Sequence, residues 1–189
     1  MAGIAASDAD VVALLMRQHG DIRNLFDEVE RTSGDERRAA FRRLVRLLAV
    51  HETAEEEIVH PFTRSSVPGG AAVVEARLRE EREAKELLSR LDGMDTDDPE
   101  FLPELRALRA EVSAHARAEE RYEFIHVRRH ADKARLASMA TAVRTAEKLA
   151  PTHPHPGTES AAKNLAVGPL AALMDRTRDA VRSALGNEG

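Results

Sequence analysis

The chain repeats one phrase: His51-Glu-Thr-Ala-Glu55-Glu56 and His115-Ala-Arg-Ala-Glu119-Glu120. Each copy reads H-x-x-A-E-E, and each lies where apolar residues recur every three or four positions, the period of a helix. Residues i and i+4 of a helix stand about 40° apart around the axis and about 6 Å apart along it. His51 therefore projects with Glu55, and His115 with Glu119. Both pairs fall on faces that otherwise read as core, so the fold has to bring two imidazoles and two carboxylates inside. Unpaired buried carboxylates cost several kcal/mol each, on the order of the general penalty for burying an ion, unless a cation compensates them. A mixed nitrogen and oxygen donor set of this kind suits iron or manganese rather than structural zinc.

The surrounding pattern supplies the scaffold. Asp8 or Asp10 is expected to cap a first helix carrying Val11, Leu14, Leu15, Gln18, His19, Ile22, Phe26 and Val29 inward. After the Thr32-Ser33-Gly34-Asp35 turn, a second helix runs from about Glu36 to the Pro61 region with Phe41, Leu44, Leu48, His51, Glu55 and Ile58 on its inner face. Pro68-Gly69-Gly70 makes the next turn, and a third helix turns Val74, Leu78, Glu81, Leu88 and Leu91 inward. Asp97-Asp98-Pro99-Glu100 opens a fourth, which continues through Leu105, Leu108, His115 and Glu119 to Val127. Long amphipathic helices with short connections predict an all-α, antiparallel up-down four-helix bundle over residues 8–130. Residues 131–189 read as a C-terminal helical extension, with a Pro/His-rich linker at 151–157 and a last amphipathic helix from about Val167 to Gly186. That extension is expected to cover the bundle or to mediate dimerisation, so the chain is a monomer or a homodimer.

Composition narrows the class. Aromatic residues make up 3% of the 189 residues and Trp is absent, so the core is built from Ala, Leu and Val, which favours close helix packing over a β-sandwich. A net charge of -5 argues against nucleic acid or an anionic membrane as partner. The absence of Cys excludes disulfides and thiolate chemistry, and fits a reducing cytoplasm. Neither a signal peptide nor a run of about 18 apolar residues is present, so neither export nor membrane insertion is expected.

The inward polar set is His19, His51, Glu55, Glu81, His115 and Glu119. The inner faces offer no evident Lys to neutralise it, and Arg77 or Arg82 can pair with only part of it, which leaves a metal pair as the economical solution. A rival arrangement uses Glu57-x-x-His60 and Glu123-x-x-His126, since E-x-x-H on two helices is a di-iron carboxylate signature. Tyr122 reads as a packing residue, and His153 and His155 as part of a capping linker.

The order of these residues resembles the hemerythrin and HHE cation-binding family, particularly its actinobacterial branch. It runs His in helix one, H-x-x-x-E in helix two, a ligand in helix three and H-x-x-x-E in helix four, over roughly Asp8 to Arg129. The resemblance implies a carboxylate-bridged, oxo- or hydroxo-bridged pair of iron ions. His19 and His51 would hold one iron and His115 the other, with Glu55 and Glu119 bridging. Helix three departs from the oxygen-carrying members, which place H-x-x-x-H where alignment on Leu87 and Leu88 puts Arg77 and Glu81. Glu81 and His60 are the expected replacement donors, with Glu52, Glu56, Glu120 and His126 as alternates. Exchanging imidazole for carboxylate favours oxidised iron. The resemblance and the departure together imply reaction with hydrogen peroxide, dioxygen or nitric oxide, with catalase- or peroxidase-like turnover. The alternative is an oxygen, iron or redox sensor, or an oxygen-binding protein, without turnover.

Overall fold

Asp10 starts the fold: its side chain accepts a hydrogen bond from the Val12 amide at 2.9 Å and caps helix α1, Val11–Arg31. In this computed structural model, which describes residues 10–149 and 169–186, no strand occurs among the described residues. The cap expected from Asp8 and the linker at 151–157, with His153 and His155, lie outside the described residues. Extended backbone at Thr32 and Ser33 ends α1, and α2 spans Gly34–Ala54. A π-helical turn, Glu55–Val59, follows it directly, and α3, His60–Ser66, completes the second arm of the bundle. The left-handed backbone at Gly69 turns the chain into α4, Gly70–Asp92. The fourth arm is α5, Phe101–Tyr122, broken at Glu123 and resumed as α6, Phe124–His130.

These four arms form the expected antiparallel bundle. Helix α7, Lys133–Leu149, packs against α1 and α2, and α8, Pro169–Gly186, lies against α2 and α7. The extension therefore covers one flank of the bundle, burying Met139, Val143, Met174 and Val181 there.

The apolar core divides into two clusters. One, around Phe26, Phe41, Leu44, Leu88, Phe101 and Leu105, fills one end of the bundle, with the Phe41 and Phe101 rings edge to face at 5.0 Å. The other, around Val11, Leu15, Ile58, Phe124, Val127 and Val143, fills the opposite end. Burying each large apolar side chain contributes about 1.5–3 kcal/mol, and these two clusters hold the bundle on both sides of a polar middle layer. His19, His51, Glu55, Glu81, His115 and Glu119 belong to neither cluster and are all buried.

Candidate metal centre

Each arm delivers its polar residues through its own helical register. His19 comes from α1, His51 from α2, Glu81 from α4, and His115 and Glu119 from α5. Glu55 opens the π-helical turn, where the His60 amide bonds back to the Glu55 carbonyl across five residues. That extra residue per turn keeps His60 on the inward face, 3% exposed, where α-helical continuation would rotate it away.

Two groups of donors converge. His19, His51, Glu55 and Glu119 offer ligand atoms within 4.8 Å of one another, and so do Glu55, Glu81 and His115. Glu55 belongs to both. Glu119 also spans them: its Oε2 lies 3.3 Å from His19 Nε2 and its Oε1 3.2 Å from His115 Nε2. Six of the seven residues expected from the sequence are thus brought together. The seventh, His60, lies one layer out, with Nε2 2.8 Å from Glu81 Oε1 and Nδ1 3.1 Å from Glu123 Oε1. Both of its nitrogens are occupied by carboxylates, so it stands as a buried cation that fixes Glu81 rather than as a donor aimed into either group. The rival E-x-x-H arrangement is not assembled: Glu57 binds Arg182 at the surface, and the His126 ring packs on His130.

The hydrogen-bond pattern tests whether metal ions fit. Both oxygens of Glu55, both of Glu119 and Nε2 of His115 are buried with no hydrogen-bond partner among the described residues. Buried carboxylate oxygens rarely go unsatisfied unless something else occupies their lone pairs. The outer nitrogens, by contrast, are all engaged: His19 Nδ1 with Glu120 at 2.9 Å, His51 Nδ1 with the Gln18 carbonyl oxygen at 2.8 Å, and His115 Nδ1 with Glu80 at 3.0 Å. An oxygen acceptor at Nδ1 places the proton there, so the Nε2 of a neutral ring presents a lone pair. His19 Nε2 and His51 Nε2 face each other at 3.1 Å. That spacing suits two ligand atoms on one ion, since cis donors about 2.1 Å from a metal stand about 3.0 Å apart. The donor set fits metal binding, with Glu55 common to both groups and Glu119 reaching toward both.

Charge in the metal-free protein follows from the same geometry. Burial, reinforced by His19, pushes His51 down to about 3, so its ring is neutral at any ordinary pH. Burial and the neighbouring Glu119 and Glu81 hold Glu55 well above the usual carboxylate range. Burial opposes charge on His115 and His60 too, but carboxylates prevail: Glu119 and Glu80 push His115 up to about 9, and Glu123 and Glu81 push His60 up to about 10. Glu52, buried beside Glu81, is pushed up to about 7 by burial, against the pull of Lys85.

Lys85 overturns the expectation that no lysine reaches the site. Its ammonium binds Glu56 and lies 3.4 Å from Glu81 Oε2 and 3.5 Å from Glu52 Oε2. Its position four residues after Glu81 was the available signal, since a Glu and a Lys at that spacing share a helix face. Arg77 pairs with Glu80 at 2.7 Å, and Arg82 is exposed. Gln18, the outer partner of His51, is legible only as another polar residue on the stripe of α1. Tyr122 is 52% exposed, with Arg121 over its ring, and is not a packing residue.

A cavity of about 110 Å³ reaches this layer. His19, His51, Glu52, Glu81 and His115 line it together with Ile22, Phe26, Leu48, Ala84 and Val112, and Arg23, Arg117 and Glu120 also border it.

The hemerythrin HHE cation-binding domain family matches residues 10–127, which contain every donor described above. The chain belongs to that family. It is 28% identical over 134 residues to an uncharacterized hemerythrin-like protein of Schizosaccharomyces pombe, covering 70% of this chain and 66% of that protein. It is also 25% identical over 146 residues to a DNA nickase of Nostoc, covering 77% of this chain and 41% of the nickase. The chain thus spans less than two thirds of the length of either curated relative. A crystal structure of a hemerythrin HHE cation-binding domain-containing protein from Mycobacterium kansasii superposes with a TM-score of 0.64 at 19% identity, over 74% of this chain and 85% of that one. That likeness supports the hemerythrin-like fold. No helix among the described residues is long and apolar enough to cross a membrane.

Proposed function

We propose that this HHE protein holds two iron ions and reacts there with hydrogen peroxide, dioxygen or nitric oxide, in catalase- or peroxidase-like turnover within the cytoplasm. One observation carries the reading: two donor groups share Glu55 and are spanned by Glu119, and the oxygens of both carboxylates are buried without a hydrogen-bond partner among the described residues. His19, His51, Glu55 and Glu119 would hold one ion, and Glu55, Glu81, His115 and Glu119 the other. Iron bound there supplies reversible electron transfer and coordination positions open to a small molecule.

The chain's own residues do the rest. Gln18, Glu120 and Glu80 hold the Nδ1 protons and so aim the Nε2 atoms inward. His115 has to surrender its Nε2 proton before it donates, so loading at near-neutral pH releases a proton. Ile22, Phe26, Leu48 and Val112 keep bulk water from the donors, while the cavity they line leaves a path for a small oxidant. The carboxylate-rich half favours the oxidised metal, which supports turnover over reversible oxygen carriage. Nicking of DNA is not carried over from the Nostoc relative, because the chain spans 41% of that protein and has a net charge of -5.

Metal analysis of the purified protein, coupled to its ultraviolet-visible spectrum before and after peroxide, tests the reading. About two irons per chain, an oxo-to-iron charge-transfer band and oxygen release from peroxide are expected. Iron-loaded protein that neither releases oxygen nor reacts with nitric oxide refutes turnover.

One observation favours a second reading, a redox or iron sensor. The turn that carries Glu55 is tied to α8, because Arg178 binds Glu56 and Glu57, and Arg182 binds Glu57. A change in protease access to α8 on metal loading, without product formation, selects sensing over turnover.

A further inference from the structure

The two donor groups differ in what already occupies them. In the first, the inward nitrogens of His19 and His51 meet only each other and the unsatisfied carboxylates Glu55 and Glu119. In the second, Glu81 has a protein cation on each oxygen: His60 Nε2 on Oε1 at 2.8 Å and Lys85 Nζ on Oε2 at 3.4 Å. Lys85 is the more mobile of these two, a flexible stem entering from the rim at 23% exposure, whereas His60 is locked by Glu123, whose carboxylate also accepts from the Thr63 hydroxyl. The ammonium also has an anchor outside the donor group. Glu56 Oε1 is already its nearest partner while Glu56 Oε2 holds Arg178, so Lys85 can release Glu81 and Glu52 and stay on Glu56.

We propose that Lys85 is an internal competitor for the second metal position: it spans Glu56, Glu81 and Glu52 when that position is empty and must give up Glu81 and Glu52, keeping Glu56 alone, when it fills. The two positions are therefore unequal. The His19–His51 position fills first, and the Glu81–His115 position fills second, against the lysine charge. This rests on the metal-binding reading above but adds the order of filling and the residue that sets it. The physical reason is that one elementary charge held beside a ligand carboxylate opposes a divalent ion strongly at the dielectric of a protein interior.

The probe is cobalt(II) chloride, titrated under nitrogen into the full-length apoprotein and followed by calorimetry and by the visible ligand-field bands. The wild type is expected to bind in two steps. Lys85→Met keeps the length of the stem without the charge. It should leave the first step in place and tighten the second by about tenfold or more. Lys85→Gln is a second neutral variant with the same expectation, and Lys85→Arg should restore two unequal steps. Glu56→Gln removes the anchor that draws the lysine away from Glu81 and should weaken the second step. The double variant Lys85→Met/Glu56→Gln should bind like Lys85→Met alone, because Glu56 acts through the lysine. A second step that is unchanged or weaker in both neutral variants overturns the proposal. So does a double variant as weak as Glu56→Gln, which would make Glu56 a ligand. Two equal steps in the wild type also overturn it while leaving the metal reading intact. Absence of cobalt binding by an apoprotein whose circular dichroism is fully helical overturns both.

Discussion

The two halves of the polar layer solve the same problem by different means. Around His19 and His51 the donors are imidazoles whose outer nitrogens are pinned by Glu120 and Gln18, and the ring of His51 stays neutral because burial outweighs everything near it. Around Glu81 and His115 the donors are charged, and charged partners hold them: His60, Lys85 and Glu80. The first half is preorganised by hydrogen bonds and presents bare lone pairs. The second is preorganised by ion pairs that have to be rearranged before it can accept a cation. The difference originates on α4, where a carboxylate at position 81 brings negative charge that the chain must balance internally.

The comparison breaks most completely at the shared residue. Glu55→Gln should abolish binding at both positions, reducing metal content from about two ions per chain to near none by elemental analysis. Retention of one tightly held ion would show that the halves are independent. Next, His51→Ala and Glu81→Ala should each remove one ion, and mononuclear spectra that differ between the two variants would tell the nitrogen-rich half from the oxygen-rich one. Identical spectra would dissolve the distinction.

A smaller effect is expected from pH. His60 and His115 have folded values of about 10 and about 9, above the ordinary 6.5. Their contribution to stability is complete below about 6.5 and is lost as pH rises through 9 and 10, by several kcal/mol in all. Glu52 adds a loss earlier, as pH rises from the usual carboxylate range through about 7. His51 acts in the opposite sense, since its folded value of about 3 costs stability as pH falls below 6.5. Melting temperatures of the metal-free protein should therefore fall between pH 7 and pH 10. His60→Gln should flatten the upper part of that decline, and an unchanged slope would remove His60 from the charge balance. The smallest effect belongs to the outer partners: Gln18→Leu should weaken metal binding about 10- to 100-fold, read by competition with a chelator. It should act on the nitrogen-rich half alone.

The bundle was legible because every arm repeats its apolar residues at helical spacing, and the donors were legible because His51–Glu55 and His115–Glu119 interrupt that repeat with pairs too costly to bury idly. What escaped had other causes. Lys85 reads as a surface residue, and only the fold shows its stem reaching over the rim to Glu52, Glu56 and Glu81. His60 was correctly drawn inward, but whether it points at a metal or at Glu81 depends on a π-helical turn that has no composition of its own. Glu123 was seen only as half of an E-x-x-H phrase. The break between α5 and α6 turns its side chain to His60 and Thr63 instead.

The π-helical turn has a genetic consequence. Glu55–Val59 amounts to an arm with one residue more than an unbroken α-helix would hold. Losing any single codon between positions 56 and 59 would leave His19, His51, Glu55, Glu81, His115 and Glu119 all present in the translated chain. In an α-helix the residue four on from Glu55 takes the place that His60, five on, takes across the π-helical turn, so the shortened arm would close as a plain α-helix with the imidazole still inward against Glu81. The signature would outlive its geometry in the opposite case, a full-length arm whose Glu55–Val59 segment winds as a plain α-helix and turns everything from position 60 onward by about 100°.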